Sequence, residues 1–256
     1  MATRKQREVP FQETINLPMK GITTLPDNEQ SLESITIRAM TTAEERLRLS
    51  SSNAFSVIPN IIKSCIVDPE NVDVMNMNMI DINFIMYRLR ALTYGSDYEV
   101  DVPCSKENKF VTVHVNLNEI EIHEAKDFTG EFEIGPLPKS EDVVTCRLTS
   151  PRDLQRVERD CRRIIKKYPD YVGDPEFIIK WLYRITKVNG EEISPAEIRG
   201  YVEKMHAHDN AYLEDKYEDE VSKYGLDLEM FEICPSCGAD LEFRLPITGE
   251  FFRPRY

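Results

Sequence analysis

The chain has 256 residues, 41% of them hydrophobic, and a formal net charge of −13. That length supports one large core or two small ones, and the acidic balance excludes a phosphate-neutralising surface as its main business. No apolar run reaches the roughly 18 residues of a membrane span, and the opening Met-Ala-Thr-Arg-Lys-Gln-Arg lacks the apolar centre of a secretion signal.

Residues 1–34 read as an extended arm. Pro10, Pro18 and Pro26 recur without helical periodicity, and residues ahead of a proline are pushed to extended geometry. Apolar residues spaced along the arm (Val9, Phe11, Ile15, Leu17, Ile22, Leu25) favour packing across a neighbour over free solvation.

Ser34 to Arg38 alternates like a strand. Thr42 with Glu45 then forms a capping-box pattern at a helix start. A similar unit returns at Val144 to Leu148, followed by Ser150 as cap, Pro151 at the first helical position and Asp153 near the positive helix end. Arg38 and Arg147 hold matching places. The two units are either a remote internal duplication or two uses of a common local solution.

Residues 54–66 and 76–92 have helical patterning. Met79, Ile82, Met86 and Leu89 make one apolar stripe, and Tyr94-Gly95 ends the second helix. Residues 150–225 read as a helical block, with starts at Asp174-Pro175 and Ser194-Pro195 and a turn between helices at Lys187 to Gly190. Trp181, Phe177, Ile178, Leu182 and Ile185 form its best apolar face. The basic run from Arg156 to Lys167 and the acidic stretch 209–222 are solvated helix faces.

The chain's six cysteines are unevenly spread, and only Cys234 and Cys237 lie close together. In Cys234-Pro235-Ser236-Cys237-Gly238 two thiols on a tight turn can face one metal ion, which is half of a tetrahedral zinc site. The other half is expected at a turn within Tyr98 to Asn108, just before the alternating strand Phe110 to Val115. Two strand–turn–strand pieces, each with ligands at its turn, make a zinc ribbon. This gives Cys104, Cys234 and Cys237, with Asp101 three residues before Cys104 as fourth ligand. His114, His123 and water are the alternatives for that place, and a metal-free ribbon is a further one. Cys65, Cys146 and Cys161 sit in apolar or helical contexts as buried small residues.

Catalysis is not expected. The Pro-Cys-x-x-Cys deaminase pattern fails at Ile233, and His123-Glu124 has the wrong spacing. Gly-rich phosphate loops, Gly-x-Ser-x-Gly and His-Glu-x-x-His are all missing from the sequence. His206 and His208 do not share a helix face.

Several segments resemble the T4-type bacteriophage baseplate proteins, a group that includes the baseplate hub subunit and the hub assembly catalyst or chaperone. The likeness rests on Ile37-Arg38 with Met40 to Glu45, on Arg88 to Tyr98, on Cys234 to Gly238, and on Leu245-Pro246 to Phe251-Phe252-Arg253-Pro254. Asp101 departs from it, standing where those proteins carry a cysteine. The resemblance implies a role in building a contractile phage tail rather than in catalysis.

The combined expectation is an α+β protein. It has an arm (1–34), a strand–helix core (35–98), a zinc-ribbon-like element (99–124 with 229–256) and a mainly helical insertion (125–228). Its partners are other baseplate hub and tail proteins, met through the arm, the ribbon edge, and Phe251 and Phe252 as interface or core anchors. It acts in the host cytoplasm during assembly or in the tail baseplate of the virion. A nucleic-acid- or protein-binding zinc ribbon is the alternative, with a zinc-dependent hydrolase behind it.

Overall fold

The structure, a computed structural model, describes residues 11–22, 32–50, 54–126, 128–245 and 251. It is mixed α+β, with helices laid against several small antiparallel sheets.

The described part of the chain opens with β1 (Gln12–Asn16), which pairs antiparallel with β2 (Ser34–Arg38). Part of the expected arm is therefore a sheet strand with a buried face: Ile15, Leu17 and Met19 all lie inside. Helices α1 (Thr42–Ser50) and α2 (Ala54–Cys65) lead to β3 (Ile66–Asp68) on the other side of β2. Helix α3 (Met79–Tyr94) carries Ile82, Phe84, Ile85, Met86 and Leu89 into the main core. It stops at Gly95, whose φ of 91° is open to glycine and costly for other residues.

A hairpin of β4 (Asp97–Cys104) and β5 (Lys109–Asn116) follows, then the short β6 (Ile122–His123). The segment expected to be mainly helical opens instead with strands β7 (Glu131–Ile134) and β8 (Val144–Arg147). Helix α4 (Pro151–Lys167) precedes a single turn, α5 (Glu176–Ile179), which passes through a 3-10 turn into β9 (Ile185–Val188) and β10 (Glu191–Glu192). The long helical face expected from Phe177 to Ile185 is thus cut short, because Ile185 pairs with Cys146 of β8. Asn189-Gly190, expected to join two helices, is a β-hairpin turn with both residues at positive φ, 53° and 80°. That is the turn geometry Asn-Gly favours between strands.

Helices α6 (Pro195–Lys204) and α7 (Ala207–Ser222) complete this second region, whose core is Trp181, Leu213, Tyr217, Val144, Cys146 and Ile185. The chain returns through β11 (Gly225–Leu226), which pairs with β6, and closes the described part with the hairpin β12 (Glu229–Ile233) and β13 (Asp240–Arg244). A small cluster of Met19, Ile80, Ala125 and Leu148 joins the two regions.

The two regions repeat one plan. β2 and β8 are each the second strand of their sheet in chain order, flanked by β1 and β3 or by β7 and β9. Each is bulged against its later partner two residues before an arginine, between Thr36 and Ile37 and between Thr145 and Cys146. That arginine donates to the carbonyl of the next residue and to a carboxylate six residues on. Arg38 reaches Ala39 O at 3.0 Å and Glu44 at 2.8 Å; Arg147 reaches Leu148 O at 3.2 Å and Asp153 at 2.9 Å.

The acid is the third residue of the helix and also accepts from the cap backbone: Thr41 N at 2.7 Å, Ser150 N at 3.0 Å. The first cap is therefore Thr41 with Glu44, one residue earlier than the expected Thr42 and Glu45. The later helix of each region repeats a second device. Asp81 of α3 accepts from Met19 N and Gly21 N, and Asp209 of α7 accepts from Lys139 N and Ser140 N. In both cases the donors belong to the connection after the region's first strand. Glu44, Asp81, Asp153 and Asp209 are the buried carboxylates among the described residues. All four sit where the helix N-terminus favours negative charge. Agreement in sheet order, bulge position and both carboxylate contacts goes well beyond a shared cap, and it supports the duplication reading of the two strand–cap–helix units.

Candidate metal centre

Cys104 ends β4, and Cys234 and Cys237 lie on the turn after β12. The core draws them together across 133 residues of chain. Val100, Val102 and Cys104 point inward from β4, while Leu241 and Leu245 come from the C-terminal hairpin, all into one apolar cluster. The second turn is shaped locally: Cys234 N donates to Ala239 O at 2.8 Å, Gly238 N donates to Cys234 O at 2.9 Å, and Gly238 has φ 69°.

The three sulfurs lie within 4.8 Å of one another. Cys104 Sγ and Cys237 Sγ are 3.7 Å apart. A tetrahedral zinc–thiolate site with bonds of about 2.3 Å needs a sulfur–sulfur edge of about 3.8 Å, so the spacing fits that ion. The donor chemistry fits too. Burial pushes the Cys234 thiol up, but N–H groups of Cys237 and Ser236 aimed at its sulfur outweigh this and hold it below its ordinary value. Cys237 has the Ala239 N–H favouring ionisation, yet burial and the neighbouring sulfurs keep it above the usual range. Metal binding by thiols displaces their protons, so affinity for a cation at this group would rise with pH. Lys109, paired to Glu107 at 2.8 Å, also lies in the field of Cys234 and Cys104.

Asp101 is not brought to this group. Residues 101 and 104 fall on opposite faces of β4, since three steps along a strand reverse the side chain. Cys104 faces the core, and Asp101 is exposed and accepts from Thr112 Oγ1 at 2.8 Å. The expectation treated 101–104 as a turn, but the strand runs through both. His114 stands five residues beyond Lys109, the ladder partner of Cys104, with Asp97 at 3.5 Å and Glu99 at 3.9 Å. His123 belongs to a separate surface group with Glu121 and Asp227, where β6 meets β11.

Phe251 is fully buried, its ring 4.6 Å from Tyr87 and 5.2 Å from Tyr98 between centroids, and its carbonyl accepts from Arg90 Nε at 2.8 Å. It is a core anchor rather than a surface for partners. Phe252 lies outside the described residues. The remaining cysteines are unlike the cluster: burial pushes Cys65 to about 11, Cys146 to about 12 and Cys161 to about 11.

Sequence reasoning did not single out the exposed apolar side chains beside the cluster. Ile233 precedes Cys234, Phe231 lies two residues before it on the same face of β12, and Phe110 is across the ladder from Pro103. They are 67%, 74% and 70% exposed. The Glu-Met-Phe-Glu-Ile order of β12 puts apolar residues on both faces, so the sequence carried no signal of which face is exposed.

A family described as T4 bacteriophage base plate protein matches residues 19–253 of the chain. This protein belongs to that family, and it is a baseplate structural or assembly protein of a phage tail. No curated protein and no solved structure matches it. No helix among the described residues is long and apolar enough to cross a membrane.

Proposed function

We propose that the protein binds baseplate hub proteins, as a hub subunit or as an assembly chaperone, and that a structural zinc ion on Cys104, Cys234 and Cys237 holds its binding surface in shape. The observation that carries this is the pairing of a three-thiol cluster with Phe110, Phe231 and Ile233 exposed on the strands that frame it. Large apolar side chains exposed together on neighbouring strands offer the kind of anchors that interfaces bury. The ion would replace thiol protons and fasten two hairpins that otherwise meet through packing and a hydrogen bond from Lys106 Nζ to Cys237 O at 3.4 Å. The work takes place in the host cytoplasm during assembly, with retention in the tail baseplate as the hub-subunit outcome.

Affinity purification of the tagged chain from infected cells is expected to recover baseplate hub proteins. Replacement of Phe110 and Phe231 by serine is expected to lose them while the protein remains folded. Normal tail assembly in the absence of the gene sinks the proposal.

A further inference from the structure

Resting on the metal reading above, we propose that the ion has an exchangeable fourth position, completed by a histidine imidazole from a neighbouring protein of the baseplate. Among the described residues no fourth cysteine, histidine or carboxylate shares the mutual 4.8 Å distance of the three sulfurs. The sequence-adjacent donor, Asp101, is on the opposite face of β4 and bonded to Thr112. Glu107 is held by Lys109 at 2.8 Å. His114 is five ladder steps away, about 17 Å along a strand at roughly 3.4 Å per residue, and His123 sits with Glu121 and Asp227.

The cluster is closed on one side and accessible on the other. Cys104 and Cys234 are each 2% exposed, while Cys237 is only half-buried. Ile233, Phe231 and Phe110 flank it as exposed apolar contacts of the kind a docking protein covers. Charge selects the donor. A divalent ion with three thiolates is a monoanion, on a chain whose formal net charge is already −13. A fourth thiolate adds another negative charge at the interface, whereas a neutral imidazole adds none and is a common zinc ligand. A catalytic water is the weaker use of the position, since it needs a general base in reach, and the carboxylates on the Cys104 side, Asp101 and Glu107, are engaged elsewhere.

The test uses the full chain loaded with Co²⁺ and its visible d–d spectrum. A tetrahedral three-thiolate band is expected to shift saturably as imidazole is added, and to shift in the same way in Asp101→Ala. In complexes formed by mixing the cobalt-loaded chain with purified hub proteins, the cobalt band is expected to be shifted already and to ignore added imidazole. A band that never responds to imidazole overturns the exchangeable position, and one that changes on Asp101→Ala alone shows a closed site with Asp101 as ligand. Response to a small thiol but not to imidazole overturns the choice of donor. Complete absence of a tetrahedral band removes the metal reading itself, an outcome separate from the other three.

Discussion

The Arg147 guanidinium closes on both carboxylate oxygens of Asp153, at 2.9 and 3.1 Å, across the first turn of α4. Arg38 does the same to Glu44 across α1. In sequence both read Arg-x-x-Ser/Thr-x-x-Asp/Glu: Arg38, Thr41, Glu44 and Arg147, Ser150, Asp153. Each set ties a central strand to the start of the helix that follows it, so the pair acts as a hinge pin within its region.

Replacing Arg147 with alanine leaves buried Asp153 without its two-pronged partner, with Arg156 at 3.7 Å as the remaining cation. Removing one partner of a buried pair typically costs about 3–5 kcal/mol. With Arg147 partly exposed at its tip, a loss near the lower end, about 3 kcal/mol, is expected in urea unfolding. Lysine should recover less than half of it, having no planar fork to match the carboxylate. A loss under about 0.5 kcal/mol in the alanine variant, the scale of an exposed pair, would falsify the keystone role.

Acid tests the first region separately. Burial pushes the Glu44 carboxyl up, but the Arg38 guanidinium and the Thr41 hydroxyl and N–H outweigh it and bring it down to about 2. An acid depressed on folding stabilises the native state above its unfolded value of about 4.3, and that contribution fades as pH falls towards its folded value. Urea midpoints of the wild type are expected to drop between about pH 4.3 and 2 more steeply than those of Glu44→Gln. Parallel profiles would show that Glu44 contributes nothing to the acid limb.

Phe251 fastens the end of the described chain to the middle of the fold. Truncation to alanine removes a fully buried ring between Tyr87 and Tyr98 and should cost about 3–5 kcal/mol. Phe251→Leu should recover most of it. Hub binding scaled to the folded fraction should be unchanged in both. Selective loss of binding at full stability would return Phe251 to the interface.

Stripping the metal with a chelator is expected to lower the thermal midpoint, because an ion bound only by the native state stabilises it by mass action. Elemental analysis of the purified chain should find about one zinc per molecule, the capacity of a single tetrahedral site. Cys104→Ser and Cys237→Ser should lose the ion, and Cys161→Ser should keep it. Full zinc content in Cys104→Ser would remove the middle hairpin from the site.

Asp209→Asn provides a check on the duplicated plan. The carboxylate accepts from Lys139 N and Ser140 N at 2.8 and 3.0 Å, and an amide can replace only one acceptor. A loss of about 1 kcal/mol is expected from calorimetry, the scale of one lost hydrogen bond whose donor lies in an exposed loop. Asp81→Asn should weaken the contacts to Met19 and Gly21 in the same manner. Wild-type stability in Asp209→Asn would mean that Lys139 and Ser140 find other acceptors.

Features that depend on a few neighbouring residues were legible from the chain alone. Ser150-Pro151 and Ser194-Pro195 start helices with capping boxes, and Gly95 ends one. Each is settled by bonds within one turn of backbone or by a hydrophobic stripe. What failed depended on partners far along the chain. Thr41 rather than Thr42 became the cap because Arg38, held in a sheet, carries Glu44 to the Thr41 N–H. The Trp181 segment left the helix because Ile185 found Cys146. Asp101 was turned from the sulfurs because β4 has a full-length partner in β5, and an unbroken ladder fixes the face of every side chain along it. Residue order alone therefore determined where α4 and α6 begin, where turns fall and which thiols are close in chain. Strand pairing decided which of those groups meet, because a ladder partner is chosen by burial across the whole molecule, which no short window of sequence contains.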